Sequence, residues 1–309
     1  MNGKERFFCA LNHKAPDRPP HFETMFELEY EAFGLRMPEP ASWQQMTRSE
    51  KDKNLGRAVE IYARIVERFK WDAVLVFSPW GDPDGVRAVK QALGKEIAVG
   101  GLAGTAGNFS IDTVTDWMQF ASRMADDRKG LHEESEQMCR AMIKGAGAVI
   151  DAGADFVFVP SDVAFNGGPF ISPADFSELV TPYLERQIRF IKERGVKAIF
   201  HSDGQMMPVM QDILSCEPDC FMSVDPMAGM DIAELKKTCR GKMALMGNVQ
   251  CSFLQSGTKE EIKKSTLYCL ENASEGGGYI FSSSNTIFKG VPLENYEYML
   301  SLYHDFFKV

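Results

Sequence analysis

Lys197-Ala-Ile-Phe-His201-Ser-Asp203-Gly204 is the stretch on which the reading of this chain turns. Val196 to Phe200 is short and apolar, as expected of a strand buried on both faces. The run ends abruptly in an imidazole, a hydroxyl, a carboxylate and a glycine. A buried strand that delivers His and Asp at its mouth, either side of Ser202, is a good foundation for a site. Gly204 predicts a sharp turn out of the strand, because glycine tolerates backbone angles that other residues avoid.

Working outward, the same pattern recurs along the chain. Asp72–Ser78, Ile97–Leu102, Asp155–Pro160, Asp219–Val224, Lys242–Met246 and Gly276–Ser282 are strand-length apolar runs without polar alternation, and His21-Phe22-Glu23 reads as the first strand. Leu55, Val59, Tyr62, Ile65, Val66 and Phe69 recur at helical spacing. Further helices are predicted over 111–125, 127–152, 205–215, 232–239, 258–273 and 292–307, with one long helix from Ser172-Pro173 to Gly195. Residues 1–17 read as an amphipathic N-terminal helix, and 35–53 as an irregular excursion. Strands buried on both faces and joined by helices imply a parallel sheet. Eight such units in 309 residues imply an α/β protein, a single (β/α)8 TIM barrel over 1–309 with an N-terminal helical extension. There is no GxGxxG and no Walker A motif, which disfavours an open nucleotide-binding sheet.

Composition narrows the class. Hydrophobic residues make up 44% of the chain, enough for a large core, and the net charge of −9 argues against nucleic acid or an anionic membrane as partner. No apolar run approaches the roughly 18 residues of a membrane span. The apolar stretch Phe7–Leu11 is too short for a signal peptide. The seven cysteines are scattered with no CxxC, which reads as reduced thiols in a cytoplasmic protein.

In a barrel of this type the site lies at the C-terminal ends of the strands. Those ends carry Glu23, Ser78, Asn108, Asp162, His201, Asp203, Asp225, Asn248 and Asn285. Such a ring of carboxylates and amides around one imidazole can bind a metal or do acid–base work. His201 is the sharpest candidate. Asp203 would complete a metal site or cap the following helix. Asp162 and Asp225 would act chemically or bond backbone amides. Glu23 belongs to an acidic run with Glu27, Glu29 and Glu31, and such a run is commonly a solvated face. Cys251 would be a soft ligand or a buried structural thiol.

Asp17-Arg-Pro-Pro20, Asp72–Ser78, Gly168-Pro-Phe-Ile-Ser-Pro173, His201-Ser-Asp-Gly204, Met246-Gly-Asn-Val249 and Val291-Pro-Leu-Glu-Asn295 are each short. In this order and spacing the chain resembles the uroporphyrinogen decarboxylase superfamily over nearly its whole length. The superfamily holds decarboxylases of tetrapyrrole synthesis and cobalamin-dependent methyltransferases. The decarboxylase branch has an arginine-rich loop after the first strand and an aspartate after the second. Here His21 to Glu31 carries four glutamates and no arginine, and Pro79 stands at the second position. A substrate bearing many carboxylates would meet like charge at this mouth. The family's zinc thiol methyltransferases carry His-x-Cys where this chain has His201 and Asp203, and a further Cys near Ser284-Asn285.

The resemblance therefore implies a methyltransferase that moves a methyl group from a small substrate, such as a methoxyaromatic or methylamine, to a corrinoid. The implied metal is zinc, held by His201 and Asp203 with Glu23 or Asp225 completing the set. Asp162, Asp225, Asn248 and Asn285 are the implied catalytic residues. No Asp-x-His-x-x-Gly motif is present, so the implied cobalamin rides on a separate corrinoid protein. A homodimer is compatible with this reading. A decarboxylase and a non-catalytic binding barrel are the alternatives.

Overall fold

Short apolar runs form the strands, and each is buried along its length save for half-buried ends at Pro160, Lys197 and His201. They are β1 (Ala73–Val76), β2 (Ala98–Leu102), β3 (Phe156–Pro160), β6 (Lys197–His201), β7 (Cys220–Met222), β8 (Ala244–Val249) and β9 (Tyr279–Ser283). β4 (Ala164–Phe165) and β5 (Gly168–Pro169) make a small separate hairpin. The structure is a computed structural model that describes residues 1–38, 40–77, 82–104 and 106–309. The seven longer strands form one parallel sheet in the order β1-β2-β3-β6-β7-β8-β9. Helices cover its outer face, as burial of a parallel sheet on both sides requires.

The eighth stave is the extended segment around residues 20–26, and it closes the barrel without becoming a regular strand. His21 bridges Phe281 in parallel, and Phe26 bridges Ile287. The Phe281 amide donates to the Pro20 carbonyl at 2.9 Å, and the Asp72 amide donates to the His21 carbonyl at 2.7 Å. The segment thus touches both edges of the sheet, giving the expected (β/α)8 barrel. It stops short of the strand expected at 21–23 because Pro19 and Pro20 have no N–H to offer a ladder.

Several expected elements are shorter or divided. The N-terminal helix runs Gly3–Leu11, not to residue 17, and opens with a capping box between Asn2 and Glu5. Its Phe7 packs on Phe22 and Phe156 at the N-terminal end of the barrel. The excursion at 35–53 gives way at Arg48 to a helix running to Phe69, capped by Thr47 with Glu50. The helix expected at 111–125 begins only at Trp117. The long helix after Ser172 is two, Pro173–Leu179 and Thr181–Glu193, because Pro182 cannot donate to the preceding turn. The segment expected as a helix over 205–215 is a 3-10 turn, Met207–Val209, followed by a short helix, Met210–Ser215. β8 extends three residues beyond the expected end at Met246, to Val249, and a short helix, Cys251–Ser256, follows it unpredicted. Among the described residues no helix is long and apolar enough to cross a membrane.

Candidate metal centre at the barrel mouth

Parallel register sets the site. Pro160, His201 and Met222 lie side by side on β3, β6 and β7. The residues that follow each strand therefore meet at one end. Asp162, His201 and Asp203 place one ligand atom each within 4.8 Å of one another. His201 Nε2 lies 3.4 Å from Asp162 Oδ1, and the Asp203 amide donates to that same oxygen at 3.0 Å.

The neighbours hold this cluster still. The His201 ring stacks on Phe158 with centroids 5.4 Å apart, and its Nδ1 sits 2.9 Å from Met222 Sδ. Asp203 accepts from the Ser223 hydroxyl at Oδ1, at 2.7 Å, and from the Asn285 amide at Oδ2. Burial pushes the Asp203 carboxyl above its ordinary value, while His201 and the Ser223 hydroxyl pull it down. Gly204 makes the expected turn at φ 86°, and a Cβ there would meet the Ala164 carbonyl oxygen at 2.4 Å. Only glycine lets β6 leave so close beneath the β4–β5 hairpin.

Three sequence candidates support the cluster from outside it. Asp225 spends both oxygens on backbone amides, Gly204 at 3.3 Å and Met227 at 2.9 Å, as one sequence alternative had it. Asn248 donates to the Val224 carbonyl at 2.7 Å and accepts from the Cys269 thiol. Val224 has φ 55°, an unfavourable value for a β-branched residue, so this clamp holds a strained link between Ser223 and Asp225. Asn285 is the one amide of the ring that reaches the cluster directly.

Glu23 lies apart from the group of three. It is fully buried and accepts from the amide and hydroxyl of Ser283, the latter at 2.7 Å. Burial pushes its carboxyl up to about 8. Asn108 is also buried, and it pairs with Gln187 rather than facing the site. Cys251 sits beside the Ser284 hydroxyl, with its thiol pushed upward by burial. Ser78 and Pro79 lie outside the described residues. Phe158, Met222 and Ser223 escaped the sequence reading, although Ser223 follows β7 directly and its position was readable.

A cavity of about 450 Å³ opens over the cluster. Phe77, Leu102 and Phe158 form apolar walls, and Thr24, Thr113, Asp162, His201 and Asn285 supply polar groups. No lysine or arginine is among its described lining residues. Two carboxylates and an imidazole with convergent atoms, backed by Ser223 and Asn285, suit a divalent ion that keeps an open position. The same donors leave little for a soft, thiolate-seeking metal.

A parallel (β/α)8 barrel with a His/Asp centre at its C-terminal mouth defines the class. Residues 84–306 match the profile of the uroporphyrinogen decarboxylase (URO-D) family, and the chain belongs to that family. A uroporphyrinogen decarboxylase of Anaeromyxobacter sp. is 26% identical over 227 residues, covering 72% of this chain and 63% of that protein. One from Thermus thermophilus is 26% identical over 171 residues, 55% of this chain and 47% of that protein. The chain thus spans less than two thirds of these relatives' length. Among solved structures, a methyltransferase from Methanosarcina mazei superposes with a TM-score of 0.76 at 17% identity, covering 99% of both chains. At that identity the likeness establishes the shared fold.

Proposed function

We propose that this protein is a methyltransferase that takes a methyl group from a small methylated substrate and passes it to a corrinoid carried by a separate protein. The observation that carries the reading is the Asp162–His201–Asp203 cluster beneath a cavity without a described cation. A tetrapyrrole polyanion would be repelled there, whereas a neutral methoxy compound or a cationic methylamine would not. Asp162, His201 and Asp203 would hold zinc; Glu23 and Asp225, which lie outside the convergent group of three, would not. Bound there, the ion would act as a Lewis acid on the atom that gives up the methyl group.

The chain's own residues do the rest. Ser223 and Asn285 fix the orientation of Asp203, and Phe158 fixes the plane of His201. Phe77, Leu102 and Phe158 exclude water around the methyl group, and Thr24 and Thr113 offer hydroxyls to a polar substituent. A reduced corrinoid would supply the electron pair that accepts the methyl carbon, and the substrate's oxygen or nitrogen would leave with its own bonding pair and take a proton.

Elemental analysis of the purified protein beside a His201→Ala variant is the first test. About one zinc per chain, lost in the variant, supports the proposal. Methylation of a reduced corrinoid protein, followed by its visible spectrum with methoxyaromatics and methylamines, tests the reaction. Metal-free protein that decarboxylates a tetrapyrrole at full rate would overturn it.

A further inference from the structure

A second chamber, of about 270 Å³, adjoins the site cavity and shares Thr24, Met25 and Phe77 with it. Its inner wall is apolar and aromatic, formed by Phe26, Tyr62, Trp71 and Leu75. Into that wall is set Glu29, whose residue is 8% exposed. One carboxylate oxygen is accounted for: Oε1 accepts from the Met37 amide at 3.2 Å. The other, Oε2, is buried and has no hydrogen-bond partner among the described residues. A buried carboxylate oxygen left unpaired is costly, and the cost falls when a donor arrives.

The cations of the chamber do not supply that donor. Arg36 and Lys289 are both exposed, and neither forms an ion pair with Glu29. The Arg36 guanidinium lies over the Tyr30 ring at 4.0 Å, and the Lys289 backbone donates to Glu27 at 3.0 Å. Aromatic walls around a buried carboxylate are the surroundings in which an organic ammonium is favoured, by charge at one side and ring faces at the others. The volume admits one end of a small molecule and no more.

We propose that this chamber is a subsite for a positively charged end of the substrate, with Glu29 as its counter-ion. The inference rests on the methyltransferase reading for the word substrate, and it deepens that reading. A molecule spanning both spaces would place its ammonium at Glu29 and its opposite end over His201.

The test uses the full chain and three probes of one shape: 2-phenylethylammonium, 2-phenylethanol and 3-phenylpropionate, titrated calorimetrically at pH 7. The wild type is expected to bind the ammonium at least about tenfold more tightly than the alcohol or the carboxylate, the range for one hydrogen bond to a charged group. Glu29→Gln is expected to abolish that preference. Equal affinities, no binding of the ammonium, a preference for the carboxylate, or a preference that survives Glu29→Gln would each overturn the proposal. The preference is read on the wild type, so the test stands even where the variant does not fold. No probe carries a transferable methyl group and no metal or corrinoid is added. Failure here is therefore distinct from failure of methyl transfer.

Discussion

Glu23 shows how burial decides the state of a single residue. In the fold its carboxyl is pushed up to about 8, against 4.5 in the unfolded chain. Between those values the native state holds a proton that the unfolded state has lost. The contribution of Glu23 to stability therefore falls as pH rises through that window and is level outside it. Glu23→Gln removes the ionisation while keeping an acceptor for Ser283. Urea midpoints from pH 4.5 to 8 should show the wild type losing on the order of a few kcal/mol relative to the variant. Parallel curves would contradict this account. The sequence left Glu23 open: its acidic run suggested a solvated face, and its place just after the first strand suggested a site residue. His201 and Asp203 were legible for a different reason: they end an unmistakable buried strand. Asp162 was legible as a strand-end carboxylate, but its meeting with His201 depends on strand register, which no local pattern carries.

At the scale of elements, the two glycines of β2 and the glycine of the preceding long helix look alike in sequence and differ in the structure. A Cβ on Gly100 would lie 2.2 Å from Cε2 of Phe156 on the neighbouring strand. Nothing lies within 4 Å of a Cβ on Gly56, in the helix Arg48–Phe69. Gly100→Ala should therefore lower stability by about 1–3 kcal/mol through overpacking, whereas Gly56→Ala should raise it by about 0.5–1 kcal/mol through backbone entropy. Denaturant midpoints of the two variants measure both signs at once. Equal shifts would remove the argument from contact geometry. Helix boundaries follow similar logic. Pro182 marks the break between Pro173–Leu179 and Thr181–Glu193, and the apolar periodicity running through both halves concealed it.

For the molecule as a whole, closure depends on the end opposite the site. Asp72, just before β1, accepts from Arg6 at 2.5 Å, from Arg18 at 2.7 Å and from the His21 amide at 2.8 Å. It thereby ties the N-terminal helix and the closing segment to the first strand. Asp72→Ala would take one of two carboxylate partners from the buried Arg6, leaving Asp17, and would remove the carboxylate partner of Arg18; it should cost roughly 3–5 kcal/mol in equilibrium unfolding, as for breaking a buried ion pair. A loss below about 1 kcal/mol would place closure elsewhere. Asp17-Arg-Pro-Pro20, a motif that carried the family resemblance, is explained here as structure. Asp17 and Arg18 complete this charge network, and the prolines shape the bridging segment.

The family was legible as a resemblance carried by short motifs in order; local pattern by itself determined the alternation of buried strands and helices, the barrel class and the face on which a site would sit. Those follow from hydrophobic periodicity and chain length, which are properties of neighbouring residues. Only the tertiary structure decided which of nine strand-end side chains meet. Register brought Asp162 to His201 and Asp203, spent Asp225 and Asn248 on backbone groups, and buried Glu23 against Ser283. It also turned Glu29 from a member of an acidic run into a buried carboxylate beside the cavity. A side chain's partners come from strands far away in sequence, so their identity is fixed only when the barrel closes.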